Sequence, residues 1–351
     1  MKVIIPYYDI SEIDRYYHLM ESLCKFSKNF VIITYVVGEI DNKIYSKFSF
    51  GKLKGLRVKK AIQPFLYGDV YEHIKGINGD VIFVISDLWA LNLAYLCFRK
   101  LGIPYVVWVR GDHRKVREIR RINFFKRIFC DYLEIKCFNN AAFVIPNCVS
   151  LFDKMLKWGV RREKITKPIY NGVDYEFFKP LKVPRSDRFT VGFAGRICPE
   201  KRISEFLRIA KYLRNQAIDF VIVGKKEVEV TFPGNVRYLG RLSFFEMPKF
   251  YNSIDLLVLP SATEGFPSVI LEAYACEKPV LACEEAFPKE LKVFGVVSKL
   301  EEFKNEILRL KHEDLAGIGK EARKYVIENF GWKRFAQAIS FYLSEARNRS
   351  K

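Results

Sequence analysis

A chain of 351 residues is longer than one core usually organises, so two domains are expected. Half of it is hydrophobic, yet no uninterrupted apolar run reaches the roughly eighteen residues of a spanning helix, which excludes an integral membrane protein of that kind. The 59 basic and 40 acidic side chains leave a formal charge of +19, an excess that attracts nucleic acid, anionic lipid or phosphorylated ligands without choosing among them.

The opening "MKVIIPYYDISEID" is a strand-like run that meets acids within a few residues, which is not the pattern of a cleavable signal. Further along, "KVIIPYY" (2–8), "FVIITYVV" (30–37), "DVIFVIS" (80–86), "PYVVWVR" (104–110) and "AFVIPN" (142–147) read as strands. They are continuous rather than alternating, as in a parallel sheet covered on both faces. Between them "LWALNLAYLCFRKLG" (88–102) reads as a helix stopped at Gly102, ahead of Pro104. The segment "RGDHRKVREIRRINFFKRIF" (110–129) concentrates Arg and Lys among Val116, Ile119, Ile122, Phe124, Phe125, Ile128 and Phe129. Run straight through as one helix, it has an imperfect amphipathic face on which Lys126 intrudes.

"FFKPLKVPRSDR" (177–188), with two prolines and many charges, reads as a linker. The strand rhythm then restarts with "FTVGFAGR" (189–196), "DFVIVG" (219–224), "VRYLG" (236–240), "DLLVLPS" (255–261) and "PVLA" (279–282). The expected architecture is two doubly wound α/β domains with a cleft between them. The eight cysteines include Cys24 and form no CxxC, so reduced thiols in a cytoplasmic protein are expected. His18, His73, His113 and His312 stand at no metal-ligand spacing, and no metal site is expected.

Ligands of such sheets bind beyond the carboxyl ends of the strands. After the strand ending at Gly195 come Arg196 and Lys201, near a helix start marked by Pro199. Two cations there suit a diphosphate, and a routine solvated loop is the plainer alternative. Gly224 ends the next strand, where backbone can approach a ligand closely. The segment "PSATEGFPSVILEAYACEKPVLA" (260–282) then carries Glu264 in a polar loop and Glu272 in the second turn of a helix too apolar to be wet. The backbone N–H groups of Gly265, Phe266, Ser268 and Val269 are expected beside Glu264, with Pro267 at the helix start. A carboxylate at Glu272 needs donors, and a ribose diol supplies two.

These segments resemble the retaining nucleotide-sugar glycosyltransferases of family 4, whose fold is GT-B. Glu264 and Glu272 match that family's E-x7-E pair, followed by Gly265, Phe266 and Pro267 in the expected slot. "GFAGRICPEKRISEFL" matches its strand–Gly–Arg–x4–Lys–helix, and "IYNGVDYEFFKP" (169–180) its Asn-Gly-Val-Asp segment. "VRYLGRLSFFEMPKFYNSIDLLVLPS" matches the elements before the glutamates, and "ENFGWKRFAQAISFYL" (328–343) a closing helix. The resemblance covers about residues 140–343. It implies an N-terminal acceptor-binding domain (1–180), a C-terminal donor-binding domain (181–330) and a helix returning to the first domain (331–351).

It also implies roles. Arg196 and Lys201 hold the diphosphate of a UDP- or GDP-sugar; Gly240, Arg241 and Leu242 lie near the base; Glu264 contacts the transferred sugar; and Glu272 holds the ribose. The reaction implied is transfer to a hydroxyl acceptor with retention, with no cofactor beyond the donor. No Asp-x-Asp pair occurs, in keeping with a site that needs no metal. The first domain departs from the pattern: "PYYDISEIDRYYHLM" has no Gly-Gly loop, and Arg110 in "VWVRGDHRK" stands where many relatives have histidine. Arg110, Asp112 and His113 are therefore candidates for acceptor contacts. The basic segment 110–129 is expected to meet an anionic membrane surface, with a lipid-linked or envelope glycan as acceptor and a peripheral location on the membrane face. The alternative is a basic nucleic-acid- or membrane-binding protein on a GT-B-like scaffold without transferase activity. Nucleic acid is not expected, because no basic strand with stacking aromatics occurs.

Overall fold

The computed structural model describes residues 1–9, 31–37, 71–72, 74–76, 78–85 and 87–349. Cys24, His18, His73 and the stretch after the first strand that lacks a Gly-Gly loop lie outside the described residues. The chain groups into two compact units: 1–111 with 123–170 and 332–351, and 112–122 with 171–331.

The first unit is built on β1 (Lys2–Asp9), β2 (Val31–Val37), β3 (Val81–Ile85), β4 (Tyr105–Val109) and β5 (Phe143–Pro146). These form a parallel sheet in the order β2-β1-β3-β4-β5. Helix α1 (Leu88–Leu101) is capped by Asp87 and ends at Gly102 in the left-handed conformation, as the Gly-x-Pro signal predicts. The β4–β5 crossover holds two helices, α2 (His113–Ile119) and α3 (Phe124–Asn140). Segment 110–129 is thus not one helix: Arg121 adopts φ 51° and Asn123 caps a new start by accepting from Phe125 N and Lys126 N. Helix α4 (Val149–Lys157) follows β5.

In the second unit, β6 (Phe189–Ala194), α5 (Ile203–Tyr212), β7 (Ile218–Val223) and β8 (Val236–Tyr238) come first. Then follow α6 (Met247–Ser253), β9 (Leu256–Leu259), α7 (Ser268–Ala275), β10 (Val280–Ala282), β11 (Gly295–Val297), α8 (Phe303–Leu310) and α9 (Leu315–Asn329). The six parallel strands run β11-β10-β9-β6-β7-β8. Strand β11, "GVV", is too short for its sequence to announce it.

The last helix, α10 (Trp332–Asn348), belongs to the first unit. Its Phe335, Ala336, Ile339, Leu343 and Ala346 form one core with alternate strand residues Val81, Phe83, Ile85, Val106, Trp108, Phe143 and Ile145. Alternation is what a pleated strand dictates: every second side chain faces the same layer. Trp108 meets Phe335 at 4.6 Å between ring centroids and donates Nε1–H to Ile169 O at 3.0 Å.

Residues 171–181 go with the second unit because its side chains hold their backbone. Asn252 donates to Lys179 O at 2.9 Å and accepts from Leu181 N at 2.8 Å. Arg323 reaches Phe178 O at 3.0 Å and Tyr175 O at 3.2 Å. The linker composition of 177–188 conceals these bonds. No helix among the described residues is long and apolar enough to cross a membrane.

Candidate active site

The second sheet starts in its middle. From β6 the chain adds β7 and β8 on one side, then crosses to lay β9, β10 and β11 on the other. Order reverses between β6 and β9, and ligands of such sheets bind beyond the carboxyl ends of the strands at such a switch point. The loop after β6 carries Arg196 and Lys201, and the loop after β9 carries Glu264. The fold therefore brings together residues that lie 63 positions apart: Lys201 Nζ pairs with Glu264 Oε1, both side chains largely buried. Ala262 N donates to Glu200 O at 2.9 Å, locking the two loops in register.

Glycines let the strand exits stack. A Cβ on Gly224 (φ 147°) would lie 1.7 Å from Gly195 O, so no other residue fits there without parting the two loops. Gly224 N in turn donates to Gly240 O at 2.8 Å. The backbone that closely approaches Gly224 is that of Gly195. Beyond Gly240, Arg241 is exposed and Leu242 half-buried.

Arg196 does not project alone. Its Nη1 donates to Glu227 Oε1 at 2.9 Å and its Nη2 to Glu200 Oε1 at 3.0 Å. Arg120, just past α2, donates to Glu200 Oε2 at 3.1 Å, Glu200 Oε1 at 2.6 Å and Glu227 Oε2 at 2.7 Å. Burial pushes the Glu200 carboxyl up, but the bonds from Arg120, its own backbone and Cys198 outweigh it and hold it at about 2. Burial likewise opposes ionisation of Glu227, which Arg196 and Arg120 hold below the usual carboxylate range. Arg196 is raised: burial disfavours its charge, and Glu227 first among its partners restores it. Cys198, Glu200 and Glu227 present ligand atoms within 4.8 Å of one another, a spacing that suits a cation. Both carboxylates already hold guanidiniums, so the donor set does not fit a resident metal.

Glu264 and Gly265 lead into α7, whose N-cap residue, Pro267, offers no side-chain bond to the first N–H groups. Ser268 and Val269 are half-buried there, while Gly265 and Pro267 are buried. Phe266 is core: its ring packs on Phe330 at 5.4 Å, and its carbonyl accepts from Asn171 Nδ2 at 2.6 Å. Glu272, 8% exposed, accepts from Tyr251 Oη at 2.7 Å. Tyr251 is itself fixed by Phe250 and Phe178, at 5.2 and 6.0 Å between centroids.

The acceptor candidates fall in different units. Arg110 lies in the first, its guanidinium 5.1 Å over the Trp108 ring. Asp112 and His113 lie in the second. Asp112 caps α2 by accepting from Lys115 N at 2.8 Å, a structural task, and His113 is the first residue of that helix. A cavity of about 590 Å³ lined by Arg185, Thr190, Asp219 and Val236 lies at the amino ends of β6, β7 and β8, the opposite end from Lys201 and Glu264.

Sequence reasoning missed Tyr251, Glu200, Glu227 and Arg120. Glu200 had one signal, an acid inside the basic loop "PEKR". Tyr251 and Arg120 had none, because they meet their partners across 21 and 80 positions of chain.

Residues 188–313, within the second unit, match the family described as Glycosyl transferases group 1. The chain is 28% identical over 257 residues to an uncharacterized glycosyltransferase of Methanocaldococcus jannaschii, covering 68% of each protein. It is 27% identical over 221 residues to the alpha-galactosylglucosyldiacylglycerol synthase of Streptococcus pneumoniae, covering 52% of this chain and 58% of that one. Its fold matches Anabaena HepE, solved in complex with UDP-glucose, at a TM-score of 0.79 and 18% identity over 98% of this chain and 100% of that one. Two doubly wound parallel sheets, a last helix returned to the first and these matches lead to one conclusion: the chain is a glycosyltransferase of the GT-B fold.

Proposed function

We propose that the protein transfers a sugar from a UDP- or GDP-sugar to a hydroxyl acceptor, with retention at the anomeric carbon and without a metal ion. The observation that carries this reading is the Lys201–Glu264 pair at the point where the second sheet reverses its strand order. A carboxylate and an ammonium at that switch point suit the two ends of one bond: a sugar carbon that gains positive charge and a diphosphate that gains negative charge as it leaves. Lys201, joined by Arg196, stabilises the diphosphate, and Glu264 orients the sugar. Glu272, buried with a tyrosine donor, accepts the ribose hydroxyls. Gly240, Arg241 and Leu242 lie beside the base, and the N–H groups at the start of α7 favour the phosphates. The leaving phosphate takes the acceptor proton on the same face. The UDP-glucose complex of HepE supports a nucleotide-sugar donor.

The acceptor we propose is lipid-linked or an envelope glycan, reached from an anionic membrane surface through α3; the diacylglycerol named for the Streptococcus relative supports that class. Phe124, Phe125, Ile128, Phe129 and Tyr132 are each more than half exposed and span about 140° of one helix face at 100° per residue. The first turn of α3 holds Lys126 and no acid, against the preference of a helix N-terminus, and an external anion reverses that penalty. Arg110, Asp112 and His113 remain the residues to probe for acceptor contacts.

Calorimetric titration with UDP, GDP and ADP, with and without EDTA, tests the donor reading. One nucleotide should bind selectively, unaffected by EDTA, and Lys201→Ala should lower the transfer rate by about 10²–10³. Failure of all three to bind refutes it.

A further inference from the structure

Both ends of the Arg196 guanidinium rest on carboxylates, and Arg120 duplicates both contacts. Two acids thus share two cations, but not equally. Glu200 is 2% exposed, and Arg120 grips it through two nitrogens. Arg196 and Glu227 are 41% and 27% exposed, joined by one bond. The Arg120–Glu200 edge is the more buried and doubly bonded, and the Arg196–Glu227 edge the more exposed and singly bonded. Helix α2, which leads into Arg120, buries none of its own residues.

We propose that Glu227 is a displaceable counter-ion that holds Arg196 until a nucleoside diphosphate takes it, and that Arg120 is the positioning residue that makes the exchange possible. This rests on the reading that Arg196 meets the donor diphosphate. A guanidinium binds phosphate and carboxylate oxygens in the same forked geometry, so the exchange swaps like for like. Without Arg120, the departure of Arg196 would leave Glu200 and Glu227 as neighbouring anions with no cation. With it, Nη2 still bridges both, at 2.6 and 2.7 Å. Glu227 thereby sets the diphosphate affinity by competition, and Arg120 weakens its claim on Arg196.

The test is calorimetry with UDP and with GDP on wild type, Glu227→Gln, Arg120→Gln, the double variant and Lys201→Ala. Glu227→Gln should bind the diphosphate about three- to tenfold more tightly, tenfold being about 1.4 kcal/mol. It should also lower the donor KM with little change in kcat. Arg120→Gln should bind about tenfold more weakly, whereas the double variant should bind about as tightly as Glu227→Gln alone, roughly tenfold tighter than the product of the single effects, a coupling that a merely structural loss does not produce. If Arg120→Gln does not fold, Glu227→Gln decides alone, since its side chain is at the surface. Unchanged or weaker binding by Glu227→Gln, with Lys201→Ala still weakening it, overturns this proposal and leaves the donor reading standing. Absence of UDP and GDP binding to wild type overturns both.

Discussion

Along the first half of α3, five large apolar side chains turn more than half their surface to solvent, with Phe125 at 78%. Along α7 every residue from Ile270 to Ala275 is buried, and the carboxylate of Glu272 goes in with the rest. The two helices depart from inside-apolar, outside-polar in opposite directions. In α7 the departure has an internal answer: a buried charge is costly, and Tyr251 supplies a donor. For α3 the answer is not in the part of the molecule described. The opposite face, with Glu134, Cys137 and Phe138, is the buried one, and Cys137 reaches Asn92 of α1 at 3.4 Å. A contiguous apolar face of this kind is what the proposed membrane contact would cover.

The buried arrangement in α7 is tested at Tyr251. Tyr251→Phe leaves a buried carboxylate short of a donor and should cost about 1.5–3 kcal/mol of stability, with weaker UDP or GDP binding. Urea titration reads the first and calorimetry the second; no change in either would mean that Glu272 is satisfied by other groups. On α3 the contrast reverses. Phe125→Ser should reduce binding to phosphatidylglycerol vesicles about ten- to a hundredfold, since burial of a phenyl ring contributes about 1.5–3 kcal/mol, while stability moves by less than about 0.5 kcal/mol. Flotation with the vesicles checks it, and a stability loss without a binding loss would make the face part of a core. A third expected outcome is a pH signature of buried charge. Glu200 sits at about 2 against an ordinary 4.5, so its stabilisation is complete above the higher value and is lost as pH falls toward the lower. Melting temperature should decline over that acid window, and Glu200→Gln should flatten the decline.

Much of this was legible in the sequence. The apolar runs located most strands, because a parallel strand covered on both faces must be hydrophobic throughout. Glu264 and Glu272 stood out because acids in a run that apolar are hard to explain as surface. What stayed hidden depended on contacts remote in the chain. The spacing that made Arg196 a candidate for a diphosphate could not show Glu227, 31 positions away, holding it. The pattern that drew one helix through 110–129 could not show the break at Arg121 and Asn123, since cations and apolar residues continue across it.

The layers, the two-part plan and the loops that carry the charged groups follow from local sequence, because periodicity, glycine and proline act over a few residues. Tertiary structure alone decided which charges meet. Lys201 faces Glu264 because the strand order reverses between β6 and β9, and Arg120 joins the acids of the second unit from a segment that the chain order assigns to the first. Ion pairs and buried hydrogen bonds are short-ranged in space and indifferent to distance along the chain, so only the folded sheet could choose the partners.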